Sequence, residues 1–377
     1  MYSALRPSLS AISKNFTRVN KNMKVHIVGA GPCGSIAAIN AAWASHDVIL
    51  SEEHSISGIP ENCSGLFSKE GLESLSSYFD YRKHVINPIN GANIHFVDQK
   101  LSVRRKSHVG YVCNRSAIDQ DLVAKAEHEG AKVNYNQKIS GNFSSTNIIG
   151  ADGPISHIAN HFSFEKIKRY ATTMQATIPY KSEDPHMVEV FLSNDMFPGF
   201  FGWIIPQNHD FAEFGAGAVA PQSAIRAWQS LLKLKHLPYT KPRGWSIPIK
   251  SRKQTSKRHG KYNVLLVGDS AGQVKATTGG GMIFGGNCAS IAGKLFHDPL
   301  RYDLEWRLRY GPDLFAHSMV HKYLRSRSDS GLKALGRRLK KLNCDDYLSV
   351  YGNMDRPTKM MGPQIIKHVL KNICGVS

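Results

Sequence analysis

The segment Lys24–Glu53, KVHIVGAGPCGSIAAINAAWASHDVILSEE, constrains this chain more than any other. Val25, Ile27 and Val28 read as a short apolar strand. Gly29, Gly31 and Gly34 follow at GxGxxG spacing, and Ser35 to Ser45 carries a helical pattern. Each glycine has its own task in such a turn: the tight reversal, the close approach of backbone to a pyrophosphate, and the close packing of helix on strand. The helix start adds free N–H groups and the positive end of its dipole, both of which favour phosphate. Val48, Ile49 and Leu50 form the next strand, and Glu52 at its end is placed to accept ribose hydroxyls. The segment therefore predicts a βαβ unit that holds the ADP half of a dinucleotide.

The 377 residues exceed one ordinary core and suit two domains or one large domain with insertions. Six cysteines are scattered without a CxxC pair, so neither a metal site nor a disulfide framework is expected, and a reducing, cytoplasmic setting fits best. Lys and Arg number 48 against 29 Asp and Glu, a net charge of +19, which points to an anionic partner or surface unless it reflects a generally basic proteome. Without a helix-turn-helix, zinc-finger or aromatic RNP-like signal beside that charge, no nucleic acid is expected. No run reaches the roughly 18 apolar residues that cross a bilayer, so any membrane contact is expected to be peripheral. Residues 1–22 hold Arg6, Lys14, Arg18 and Lys21 with several serines and no acid. They read either as a transit-like leader or as an extension ahead of initiation at Met23, the second being favoured because a Rossmann strand commonly starts a few residues after the initiator. Both readings put them outside the fold.

Further along, Ser68 to Tyr78 suits a helix capped by Ser68, and Ser116 to Glu129 suits another with Ile118, Leu122, Val123 and Ala126 on one face. From Tyr170 to Ala220 strands follow one another without helices, which predicts an antiparallel sheet. Pro221 to Leu234 reads as a helix, Lys250 to Lys261 as a basic surface loop, and Val264 to Val267 resumes the buried-strand pattern before a helix from about Gly281 to His297. The fold class expected is α/β. A Rossmann-type domain (23–80, 110–160 and 255–300) carries an inserted antiparallel-sheet substrate domain (81–109 and 161–254), followed by a helical C-terminal region (301–377). Within the last, residues 364–373 place Ile365, Ile366, Val369, Leu370 and Ile373 on one side, a pattern that suits lying on an anionic membrane or packing on the protein.

Three more pieces turn a nucleotide fold toward a flavin fold. Ile149-Gly150-Ala151-Asp152-Gly153 ends one strand in a carboxylate at a glycine turn, and Gly268-Asp269 ends another, where Asp269 can accept from ribityl hydroxyls. Arg115, with Asp119 four residues on, starts the helix between them and can reach a phosphate or the adenosine side. An NAD enzyme needs the first motif alone, so FAD is the expected cofactor. Thr278, Gly279, Gly280 and Gly281 bring backbone N–H groups to a helix start, suited to a flavin edge where negative charge develops on reduction. No second GxGxxG appears.

The sequence resembles the FAD-dependent geranylgeranyl reductases, within the para-hydroxybenzoate-hydroxylase-like flavoproteins, over most of residues 24–310. The resemblance rests on GAGPCG, on Glu52 followed by GIPENCSG, on Arg115 and Asp119, on GADG, on FGWIIP and on VGDSAGQVKATTGGGMIFG. It is strongest to the archaeal enzymes that saturate isoprenoid chains of membrane lipids. Two positions depart from the family pattern: the aromatic strand, usually YxWxFP, has Phe201 and Ile205, and Ala276 stands where proline is usual.

The resemblance implies reduction of carbon–carbon double bonds in a geranylgeranyl lipid at the cytoplasmic membrane surface. Electrons would come from transient NAD(P)H or from a protein such as ferredoxin. Cys63 would lie beside the flavin, as a group for flavin-side chemistry or proton delivery or as a small turn residue. Phe201, Trp203 and Ile205, with Phe200, would line the substrate tunnel or fill an ordinary core. A monooxygenase or halogenase of the same superfamily, and a flavin-binding redox module without turnover, are the rival readings.

Overall fold

The computed structural model describes residues 22–365, 367 and 368. The expectations for residues 1–21 and for most of the amphipathic segment 364–373 therefore lie outside the described residues.

One sheet has six strands in the order β15 (Ser256–His259), β16 (Tyr262–Leu266), β9 (Asn147–Gly150), β1 (Lys24–Val28), β2 (Asp47–Ser51) and β8 (Lys132–Asn134). All pairs are parallel except β15 with β16. The central strand β1 is buried from Val25 onward, as expected where helices cover both faces of a parallel sheet. Helix α1 (Pro32–Trp43) supplies one cover. Its small residues let α6 (Met282–Leu295) approach so closely that a Cβ on Gly293 would fall 2.3 Å from the Ala37 carbonyl. Helix α3 (Arg115–His128) buries Ile118, Leu122, Val123 and Ala126 in the same core, the face expected from their spacing.

The second sheet runs β14 (Arg243–Pro248), β10 (Tyr170–Pro179), β13 (Phe211–Val219), β12 (Gly202–Pro206), β11 (Met187–Leu192), β5 (Gly91–Phe96) and β6 (Gln99–Arg104). It is antiparallel except for one junction, where β11 runs parallel to β5. Alternation gives it two apolar faces. Ala212, Phe214, Ala216 and Ala218 of β13 face α5 (Ala224–Leu234) through Trp228 and Leu231, while Trp203, Ile205 and Val219 belong to a separate cluster with Phe200, Ile249 and Ala276. A third, three-stranded sheet orders β3 (Leu66–Ser68), β7 (Gly110–Cys113) and β4 (Val85–Ile89). Ser68 caps the short helix α2 (Lys69–Ser74), its hydroxyl accepting from the Gly71 N–H at 3.0 Å. A short α4 (His157–His161) follows β9.

The helical region holds α7 (Pro299–Arg325), α8 (Asp329–Lys341) and α9 (Cys344–Tyr351). Among the described residues no helix is long and apolar enough to cross a membrane.

One expectation is corrected. Residues 250–261 are a basic surface segment only in part: Lys250, Lys253, Arg258 and Lys261 are exposed, but the segment is not a plain loop. Arg252 and Thr255 are buried, and Ser256–His259 pairs with β16 as an edge strand. Arg252 is held because its guanidinium donates to the carbonyls of Ser270, at 2.6 Å, and Glu165, a use of positive charge that a count of lysines and arginines does not reveal.

Candidate active site

The turn between β1 and α1 divides the labour of its glycines as the motif predicts. Gly29 sits at φ +97°, and a Cβ there would lie 2.5 Å from the Ala151 carbonyl oxygen. A Cβ on Gly34 would lie 1.8 Å from the Gly29 carbonyl oxygen, so helix and strand touch there. Gly31 differs: a Cβ would meet no atom within 4 Å. The protein thus has no packing reason for glycine at position 31. The space beside it is open at the helix start, where first-turn N–H groups lack partners.

Glu52 ends β2 buried, one carboxylate oxygen accepting the Ala30 N–H at 2.8 Å and the other the His54 N–H at 3.0 Å. It is fastened to the glycine turn, with lone pairs remaining for a ribose. Arg115, the first residue of α3, makes a two-pronged pair with Asp119 at 2.7 and 3.0 Å. Burial works against the Arg115 cation, yet Asp119 and Cys63 raise its pKa overall. Arg115 is the hub that gathers the distant motifs: its charge acts on both the Cys63 thiol and the Asp269 carboxylate. Burial pushes the Cys63 thiol up, while Arg115 and the Gly65 N–H, 3.4 Å from the sulfur, pull it down less strongly, so the thiol keeps its proton at neutral pH.

The Asp269 carboxylate makes no hydrogen bond among the described residues. Burial raises it to about 6, with Arg115 opposing. A part-exposed carboxylate left without a partner is the feature expected where a polyol ligand completes the site. Asp152 behaves otherwise. Its oxygens accept from the Ser156 hydroxyl at 2.7 Å and the Ile158 N–H at 2.9 Å, so its visible work is to cap α4.

The glycine run lies beside Asp269: a Cβ on Gly281 would fall 2.7 Å from its Oδ1. On the other side the run meets the second sheet, since a Cβ on Gly279 would lie 2.9 Å from Ile247 and 3.4 Å from Phe200. Phe201 stacks on Phe200 with centroids 4.4 Å apart, and Trp203 and Ile205 are buried in the same cluster. Trp203 lies over Gly215, its cross-strand neighbour, and its indole N–H has no partner among the described residues. The structure thus brings Cys63, Arg115 and Asp269 to one side of the glycine run and the aromatic strand to the other, while Glu52 sits at the first glycine turn.

A polar latch beneath that run escaped the sequence. Lys275 pairs with Asp355 at 2.5 Å, and both are buried. Asp355 also accepts from Ser68, and its backbone carbonyl faces His317 Nε2 at 3.1 Å. Burial lowers His317 to about 4, so its ring is neutral. A carbonyl only accepts, so Nε2 carries the hydrogen and Nδ1 accepts from the Thr277 hydroxyl at 2.7 Å. The Lys275 backbone closes the loop, its N–H donating to Gly280 and its carbonyl accepting from Gly279. Nothing in the sequence pairs residues 80 positions apart.

No family model matches the chain. Among curated proteins, an uncharacterized protein of Methanocaldococcus jannaschii is 26% identical over 389 residues, covering 91% of this chain and 95% of its own length. Digeranylgeranylglycerophospholipid reductase 1 of Methanothermobacter thermautotrophicus is 25% identical over 82% of this chain and 89% of its own, and the reductase of that name from Methanothrix thermoacetophila is 26% identical over 82% and 90%. The chain is a distant relative of the archaeal digeranylgeranylglycerophospholipid reductases. Its fold is shared with a geranylgeranyl bacteriochlorophyll reductase-like protein of Thermoplasma acidophilum, at TM-score 0.73 and 18% identity over 94% of this chain and 97% of that one. A flavin-dependent halogenase superposes at TM-score 0.56 and 14% identity over 95% and 71%. The α/β class, with its second sheet and helical C-terminal region, stands as expected.

Proposed function

We propose that this chain binds FAD and reduces isoprenoid carbon–carbon double bonds in geranylgeranyl chains of a membrane lipid. The observation that carries the reading is the apolar wall opposite the glycine run, where Phe200, Trp203 and Ile205 are buried in one cluster with Ile247, and Phe200 and Ile247 pack against Gly279. A prenyl chain offers only apolar surface, and such a wall suits it. The names of the relatives agree with this choice of substrate.

Gly29, Gly31, Gly34, Glu52, Arg115, Asp269, Gly280 and Gly281 would hold the cofactor, with Asp152 acting through the α4 cap. When bound, reduced FAD supplies the hydride. The chain's own contribution is to exclude water and to keep a proton at hand. Cys63, its thiol held neutral by burial, is positioned by Arg115 and Gly65 on the cofactor side. Electrons would arrive from NAD(P)H or a ferredoxin, the basic surface suiting the latter.

Gly31→Ala separates the binding reading from the packing one. Since a Cβ there touches nothing among the described residues, the variant is expected to keep its melting temperature while FAD affinity, titrated by flavin fluorescence, falls roughly tenfold or more. Unchanged affinity would remove the pyrophosphate from that turn. For the reaction, protein loaded with FAD and reduced anaerobically is given digeranylgeranylglycerophospholipid in detergent and the product weighed by mass spectrometry. Gain of two hydrogens for each double bond is expected. Oxygen-dependent gain of an oxygen atom would instead establish a monooxygenase, and a flavin reoxidised by neither lipid nor oxygen would leave a redox module.

A further inference from the structure

Helix α7 is 27 residues long, about 40 Å. One side is buried through Tyr302, Trp306, Asp313, His317 and His321, at helical spacing. The opposite side, which in a water-facing helix would be polar, carries Leu300, Leu304, Leu308, Phe315 and Met319, each between 48% and 84% exposed. These positions recur at intervals of four and seven, so they form one straight line along the outer face. An apolar stripe of this length on an outer face is a docking surface by composition.

The charges around it choose the occupant. The helix carries five Arg and Lys residues and three acids. All three acids are engaged: Asp303 with Arg307 and Thr255, Glu305 with Arg301 and Arg309, and Asp313 with Thr358. Lys322 continues the apolar line, and Arg301 borders it near the start. We propose that this face of α7 lies on an anionic lipid surface, its leucines and Phe315 entering the headgroup boundary and its cations meeting the phosphates. A second copy of this chain fits less well. A two-fold antiparallel pair centred near Gly311 would set Lys322 of one copy beside Arg301 of the other, a like-charge contact that an anionic bilayer converts into attraction. The net charge of +19 acts in the same direction. The proposal deepens the lipid-reductase reading, because a prenyl lipid is reached at a membrane. It assigns the contact to α7 rather than to the C-terminal segment singled out in the sequence.

The test is flotation of the full chain with phosphatidylcholine vesicles, with and without phosphatidylglycerol, alongside sedimentation to read oligomeric state. The wild type is expected to float with the anionic vesicles and to release as salt is raised. Leu308→Glu and Phe315→Glu, at positions already in solvent, are each expected to weaken that binding roughly tenfold. Reduction of detergent-dispersed lipid should be unchanged in both, so failure here and failure of the reductase reading are told apart. Equal flotation of wild type and variants, no flotation, equal binding to the uncharged vesicles, or a dimer that either substitution splits would overturn the proposal.

Discussion

Asp355→Ala is expected to be among the most damaging single substitutions outside the nucleotide turn, costing on the order of 3–5 kcal/mol in urea unfolding. The reason is what it leaves behind. Lys275 is 6% exposed, and its ammonium has Asp355 as its charged partner at 2.5 Å. Removing the carboxylate strands a buried cation, and the Coulomb attraction that had offset its desolvation is gone. Burial pushes the Asp355 carboxyl up, but Lys275 and Ser68 together hold it below the usual carboxylate range. A depressed folded pKa means that stability from this pair is present above the ordinary carboxylate range and is lost as pH falls through the folded value. The double variant Lys275→Met with Asp355→Leu should recover most of the loss, because two apolar groups of similar size replace a pair whose net worth is small. Its FAD affinity should stay below wild type, since the pair anchors the loop carrying Gly279, Gly280 and Gly281. Equal stability of Asp355→Ala and wild type would show that the pair is solvated in solution.

The contrast between the glycine turn and this latch explains what the sequence could reveal. Gly29, Gly31, Gly34 and Glu52 lie within one βαβ unit, where spacing along the chain is nearly spacing in the fold, so their geometry was legible directly. Arg115, Cys63 and Asp269 come from three separate segments. The patterns put Asp269 at a strand end and Arg115 at a helix start, but not Arg115 close enough to act on both Cys63 and Asp269. Asp152 looked the same as Asp269 in sequence, a carboxylate at a glycine turn, yet it caps a one-turn helix whose start Ser156 also marks. The latch of Lys275, His317 and Asp355 depends on how the helical region folds back over the parallel-sheet core, which no local pattern carries. The stripe on α7 was hidden for a different reason. The buried side of that helix carries Asp313, His317 and His321 beside Tyr302 and Trp306, while its exposed side carries leucines, so apolar periodicity points to the wrong face.

Glu213→Gln should change the pH dependence of stability more than any other substitution on the second sheet. Glu213 lies on the face of β13 that also carries Gly215, between Ile205 of β12 and Thr177 of β10 in register. It is 2% exposed, and its Oε1 has no hydrogen-bond partner among the described residues. Burial raises its carboxyl from 4.5 to about 7, with Arg243, 3.7 Å away, opposing and Glu61 adding to the rise. The sign follows from proton counting. Between the unfolded and folded values the native state keeps a proton that the unfolded chain has lost, so stability is greatest below about pH 4.5 and declines until pH passes the folded value. A gap of 4.5 to about 7 corresponds to about 3 kcal/mol. Glutamine resembles the protonated acid and does not titrate, so the variant should match wild type near the unfolded value and exceed it by about 3 kcal/mol at alkaline pH. Urea unfolding of both proteins across that range reads the divergence directly, and parallel curves would place an ionised Glu213 in the native state. The outcome bears on the candidate site as well. Glu213 shares the face of the second sheet with Trp203 and Ile205, so the measurement also reads whether that apolar face holds a protonated or a charged carboxyl.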